Sequence, residues 1–124
     1  MQILQITPVE RDYVARQLQL AHEDATVAMT GMHAPRPGAV PQAHDLIGAC
    51  YEAAEHLNDV LQVDVPADMV EDVKHALQEL RTTIDVLDRR RQPGVNPPAL
   101  PVENLGRAIG QLEQLEHKLR NPQG

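Results

Sequence analysis

A chain of 124 residues that carries 18 acidic residues against 11 Lys and Arg has a formal net charge of −7. The length allows one domain with one core, and the charge argues against direct binding to nucleic acid, which needs clustered cations. Cys50 is the only cysteine, which excludes an internal disulfide. Neither a leader-like segment nor a run of about 18 apolar residues occurs, so we expect a cytoplasmic protein that does not associate with membranes.

Prolines stand at the starts of four amphipathic runs, at Pro8, Pro41, Pro66 and Pro101. Proline suits the first helical position because its missing N–H would be unpaired there. The sequence therefore predicts an all-α fold, a small four-helix bundle with helices at 8–30, 41–62, 66–91 and 101–120. The rest of the single domain 1–124 is predicted to be an N-terminal arm at 1–7, Pro- and Gly-rich loops at 31–40 and 92–100, and a tail at 121–124.

The first predicted helix begins with a capping box, in which Thr7 and Glu10 satisfy each other's backbone N–H groups. At about 100° per residue the helix shows one apolar face toward the core. That face consists of Val14, Leu18, Ala21, Ala25 and Ala28. A second face, which we call the apolar stripe, consists of Val9, Tyr13, Leu20 and Val27. Two apolar faces on one helix indicate either one wide core-facing sector or a contact with another subunit. The functional interpretation of the stripe is the second, a self-association surface.

The aromatic content favours the same interpretation. Phe and Trp are absent, and Tyr13 and Tyr51 are the only aromatic residues, so the core must be built from aliphatic side chains and Cys50. A core of this kind buries little area per residue. We therefore expect a homo-oligomer, most simply a homodimer.

The second and third predicted helices are joined by residues 63–65 alone, which predicts an antiparallel hairpin. The core face of the second helix is predicted to be Leu46, Cys50, Ala53, Leu57 and Val60, with Cys50 acting as a buried hydrophobe. Loop 31–40 is long enough for the first two helices not to be neighbours. The third helix repeats Val73, Leu80 and Leu87 every seven residues, supported by Ala76, Leu77 and Ile84.

The fourth predicted helix has a heptad-like apolar pattern about two and a half heptads long. Its members are Val102, Leu105, Ala108, Leu112, Leu115 and Leu119. This pattern is typical of either a bundle core face or half of a short coiled coil.

Three Glu residues each precede a His by four positions, which raises the possibility of a metal centre. The pairs are Glu52 with His56, Glu71 with His75, and Glu113 with His117. Dimetal bundles use a spacing of three and project these side chains into the core. Here all but His56, at the flank, are predicted to face solvent, so we expect no metal and no cofactor. No catalytic constellation occurs and serine is absent, so we do not expect an enzyme.

Charge is segregated along the chain, because residues 37–73 contain eight acids and neither Lys nor Arg. We predict an acidic ridge formed by Asp45, Glu52, Glu55, Asp59, Asp68, Glu71 and Asp72. Such a run often forms only a solvated face; the functional interpretation is a docking surface for a basic protein partner. We favour a non-catalytic interaction or regulatory protein that binds such a partner or completes a larger assembly. The alternatives are a metal-binding carboxylate and histidine bundle and an inhibitor that mimics nucleic acid.

Overall fold

The protein is an all-α four-helix bundle, as predicted. The computed structural model describes residues 7–32, 43–90 and 99–120, and the predicted arm up to residue 6, most of both loops and the tail lie outside these ranges. The helices are α1 (Pro8–Met32), α2 (Ala43–Leu61), α3 (Ala67–Arg90) and α4 (Val102–Arg120).

The helix starts show how the prolines are used. The Thr7 hydroxyl accepts a hydrogen bond from the Glu10 N–H at 3.1 Å, and the Thr7 N–H donates to the Glu10 carboxylate at 3.1 Å, which confirms the capping box. Pro8 is the first helical residue. The third and fourth helices begin one residue later than predicted, so Pro66 and Pro101 immediately precede them. The carbonyl groups of these prolines accept the first backbone hydrogen bonds of the two helices. Neither position needs the N–H that proline lacks. Pro41 lies outside the described residues.

The end of α1 also differs from the prediction, because the helix continues past residue 30 to Met32. Met32 is buried in the core of the bundle, which anchors the last turn. Gly31 lies within that turn, where a Cβ atom would stand 2.6 Å from the Cδ2 atom of Leu46. The glycine thus permits a close approach of α1 to α2 and does not end the helix.

Each helix packs against two others in the order α1, α2, α3, α4 and back to α1. Loop 31–40 therefore joins neighbouring helices, although its length would have allowed a separation. Two contacts along each pair give the directions. Gly31 of α1 lies close to Leu46 of α2, while Gln17 meets His56. Glu79 of α3 meets Asn104 of α4, while Asp72 meets Lys118. Together with the α2–α3 hairpin, these contacts describe an antiparallel up-down-up-down bundle.

The core runs along the bundle axis and contains the predicted faces of all four helices. The predicted core positions of α1 and α2 are all buried, and those of α3 and α4 are buried except Ile84 and Val102, which are half-buried at the margin. Thr83 is the one polar residue among the buried side chains of the described ranges, and its hydroxyl donates to the Glu79 carbonyl at 2.7 Å. That bond satisfies the hydroxyl without a partner from another helix.

Candidate interaction surface

The outer side of α2 carries three exposed carboxylates, Glu52, Glu55 and Asp59, which we call the acidic row. At about 100° per residue they fall within roughly 60° of one another, on the side away from the buried positions. No Lys or Arg occurs anywhere on α2. Asp45 extends the same line in sequence, but its side chain lies outside what the structure describes.

The apolar stripe of α1 is open to solvent over most of its length. Val9 is 79% exposed, Val27 is 63% exposed and Tyr13 is 43% exposed, while Leu20 is half-buried. Together, Val9, Tyr13 and Val27 provide three of the four exposed large hydrophobic side chains of the described residues. The stripe therefore contributes little to the core of the bundle.

The contacts between α1 and α2 place the stripe beside the row. His56 Nδ1 lies 2.7 Å from Gln17 Oε1, and His56 Nε2 lies 3.6 Å from Asp24 Oδ2. Leu20 is three residues after Gln17 and four before Asp24, so it shares their flank of α1. Glu52 and Asp59 are four residues before and three after His56, so they share its flank of α2. The two flanks are the two sides of one α1–α2 groove.

The electrostatics of this groove are dominated by carboxylates. Burial raises the pKa of Asp24, and the negative charge of Glu52 raises it further, while His56 acts in the opposite direction. Loss of hydration is the larger cause, and the adjacent carboxylate adds to it. The groove thus places a partly buried carboxyl group beside a second acid.

The acids of the predicted ridge that lie on α3 have different surroundings. Lys118 of α4 donates to Asp72 Oδ2 at 2.6 Å and lies 3.6 Å from Asp68 Oδ2. These two acids therefore face α4, which is diagonally opposite α2, while Glu71 is exposed. The structure brings the acidic row together on one outer face of α2 and pairs two of the α3 acids with a cation.

The α3–α4 seam is a polar cluster that the sequence did not predict. It consists of Glu79, Asn104 and Arg107 and of the ion pair between Lys118 and Asp72. Glu79 accepts hydrogen bonds from Asn104 at 2.9 Å and from Arg107 at 3.1 Å. The Asn104 hydrogen bond lowers the pKa of Glu79, and Arg107 lowers it further against the effect of burial. Close by on α4, the buried Gln111 Oε1 has no hydrogen-bond partner within the described ranges.

The seam between α1 and α4 holds a second cluster that was missed. His22 Nε2 lies 3.3 Å from Glu113 Oε2, and His22 Nδ1 lies 3.9 Å from Glu116 Oε1. The sequence did indicate that Glu113 and Glu116 share one flank of α4, because they are three residues apart at the edge of its heptad pattern. Their pairing with His22 depends on the axial register of α1 against α4, which is not a local property of either sequence.

The Glu and His pairs lie where the sequence predicted, on the outside of the bundle, with His56 at a flank. In the part of the chain that the structure describes, no three His, Cys, Asp or Glu side chains come together as metal ligands. Cys50 is buried as predicted, and burial raises the pKa of its thiol to about 12. A neutral, enclosed thiol of this kind is a poor nucleophile.

An open cleft of about 460 Å³ lies between α1 and α4. Its lining combines both signs of charge with apolar groups and consists of Arg11, Asp12, Ala15, Gln19, Glu116, Leu119 and Arg120. This lining contains no nucleophile and base pair of the kind that covalent catalysis uses. The cleft therefore offers less specific chemistry than the α1–α2 groove.

Comparison with family models, curated proteins and solved structures gave no match to this chain. Among the described helices, none combines the length and the apolar character required to cross a membrane. The arrangement of exposed side chains is therefore the basis for a functional interpretation.

Proposed function

We propose that this chain is a non-catalytic interaction protein that binds a basic protein partner through the acidic row of α2. The observation that supports this proposal is the contrast between two sets of acids. On α3, Asp72 is met by Lys118, whereas Glu52, Glu55 and Asp59 stand exposed on a helix that carries neither Lys nor Arg.

Such a row would raise the association rate of a basic partner and would orient it during binding. Complementary charge steers the diffusional encounter and raises association rates, with an effect that falls as ionic strength rises. The carboxylates of the row lie within a few helical turns, which is comparable to the screening length of about 8 Å at physiological salt. They would therefore act together on an approaching cationic segment.

The test uses a fluorescently labelled peptide of alternating Lys and Gln, with binding followed by anisotropy at several salt concentrations. We expect the variant Glu52→Lys/Glu55→Lys/Asp59→Lys to lose at least tenfold in affinity and most of the salt dependence. The matched control reverses three exposed acids of α3 and α4, in Asp85→Lys/Glu103→Lys/Glu113→Lys. It changes the net charge equally and should bind within about twofold of wild type. Equal binding by the two triple variants would contradict the proposal.

The metal-binding alternative is tested separately, because the Glu and His pairs are available on the surface. Purified protein should contain less than stoichiometric Fe, Mn, Zn and Ni. Stoichiometric metal that is lost in His56→Ala or His75→Ala would overturn the proposal in favour of a metal-dependent bundle.

A further inference from the structure

We propose that the apolar stripe of α1 and the acidic row of α2 form one docking surface for an amphipathic helix of the partner. The apolar face of that helix would cover the stripe, and a flank rich in Lys and Arg would meet the row. This inference rests on the proposed function and adds to it the secondary structure of the partner and the orientation of its two faces.

The spacing within the stripe is that of a helix contact. Tyr13, Leu20 and Val27 recur every seven residues along α1, which is the repeat by which two helices meet along a shared seam. Val9 extends the stripe by one turn, so that it spans 18 residue steps, or about 27 Å at 1.5 Å per residue. A partner helix of about five turns would match this length.

The row stands beside the middle of the stripe. Because α1 and α2 run antiparallel and His56 meets both Gln17 and Asp24, Glu52 lies toward Asp24 and Asp59 lies toward the start of α1. The spacing of neighbouring packed helices is about 8 to 10 Å. A helix that covers the stripe would therefore bring Lys or Arg side chains on its flank within reach of the row.

The other charged and apolar groups around the groove set the orientation of the partner. On the edge of α1 away from α2, Arg16 is exposed together with Asp12 and Glu23. That edge therefore has mixed charge and favours cations of the partner less than the acidic row does. Beyond the row, Tyr51 is 55% exposed and lies four residues before Glu55, where its ring extends the apolar area. Aromatic rings also attract cationic side chains. The surface thus offers apolar contact on both sides of its carboxylates.

A second copy of the chain is a poorer fit to this surface than a basic helix. In a two-fold contact that packs two copies of α1 antiparallel, each copy presents the same patch, so the acidic row that borders one stripe would approach the row of the other copy. Like charges placed opposite each other at an interface oppose association. The homodimer predicted from the sequence therefore becomes an outcome that the experiment must distinguish.

The experiment compares two labelled 21-residue peptides of identical composition. One has Leu at the a and d positions of a helical heptad with Lys and Arg on one flank, and the other has the same residues scrambled to remove the period. We expect wild type to bind the amphipathic peptide at least tenfold more tightly than the scrambled one. The stripe variant Tyr13→Gln/Val27→Gln should lose this preference, whereas Val86→Gln, at a half-buried position of α3, should keep it.

The outcomes separate this inference from the proposed function. If wild type binds both peptides equally and binding still requires the row, the docking of an amphipathic helix is wrong and the proposed function stands. If the row triple variant binds both peptides as well as wild type, the proposed function is wrong and this inference fails with it. Sedimentation equilibrium at high micromolar concentration should show a monomer. A dimer that Tyr13→Gln/Val27→Gln dissociates would assign the stripe to a second copy and overturn the inference.

Discussion

Two carboxylic acids on opposite sides of the bundle show opposite responses to their surroundings. Glu79, in the α3–α4 seam, has a pKa lowered by Asn104 and Arg107. Asp24, at the α1–α2 groove, has a pKa raised by burial and by Glu52. The seam therefore stabilises the ionised form of its acid with two hydrogen-bond donors. In the groove, burial and Glu52 disfavour the ionised form of Asp24 although His56 lies 3.6 Å away. Acid content alone therefore does not describe the surroundings of a carboxylate, because burial and the placement of cations change them.

Breaking the α3–α4 seam should produce the largest effect. Glu79 is three-quarters buried, and the double variant Asn104→Ala/Arg107→Ala removes both of its side-chain donors. We expect the free energy of unfolding at pH 7 to fall by about 2 kcal/mol, because a charged group that is partly buried loses its hydrogen bonds. Urea denaturation measures this change.

The control for that prediction is Arg81→Ala, at an exposed position of α3. An exposed substitution of this kind usually changes stability by less than about 0.5 kcal/mol. If the double variant is no less stable than this control, the seam contributes nothing and the contrast between the two regions is lost.

Neutralising Glu79 and neutralising Asp24 should change the free energy of unfolding by smaller amounts and in opposite directions. Glu79→Gln should destabilise the protein at pH 7 by about 1 kcal/mol, since it weakens a charged hydrogen bond. Because the folded pKa of Glu79 lies below its ordinary value of 4.5, wild type loses this advantage as pH falls through the folded pKa, below about pH 4.5.

Asp24→Asn should instead stabilise the protein at pH 7, by about 0.5 kcal/mol or less as is usual for partly exposed sites. The folded pKa of Asp24 lies above its ordinary value of 3.8, so its ionisation disfavours the folded state. The gain should therefore vanish as pH falls through the folded pKa toward 3.8. Chemical denaturation of both variants at pH 7, 5 and 3.5 provides the test. Changes of the same sign at pH 7 would show that the groove and the seam do not differ in the way described.

The sequence predicted the local features of the fold because these depend on neighbours along the chain. The Thr7 and Glu10 capping box and the burial of Leu18, Leu57 and Leu112 follow from spacing within single helices. The end of α1 was missed although Met32 continues the spacing of the core face, four residues after Ala28. The prediction gave more weight to Gly31, because glycine commonly ends helices.

The candidate site was predicted only in parts. Exposed apolar residues on α1 and acids on α2 were each visible in the sequence, but loop 31–40 left open whether those helices were neighbours. The contact of His56 with Gln17 and Asp24 shows that they are. Likewise, Asp72 forms an ion pair with Lys118, which lies 46 residues later in the chain. This contact could not be predicted because it depends on the packing of α3 against α4.

The most direct test of the account is to map where the amphipathic basic peptide binds, by backbone amide chemical shifts of the labelled protein. We predict shifts concentrated at Tyr13 to Val27 of α1 and at Glu52 to Asp59 of α2, together with a lower pKa of Asp24 when the peptide is bound. Shifts centred on the α3–α4 seam, with Asp24 unchanged, would contradict the claim that the α1–α2 groove is the interaction surface.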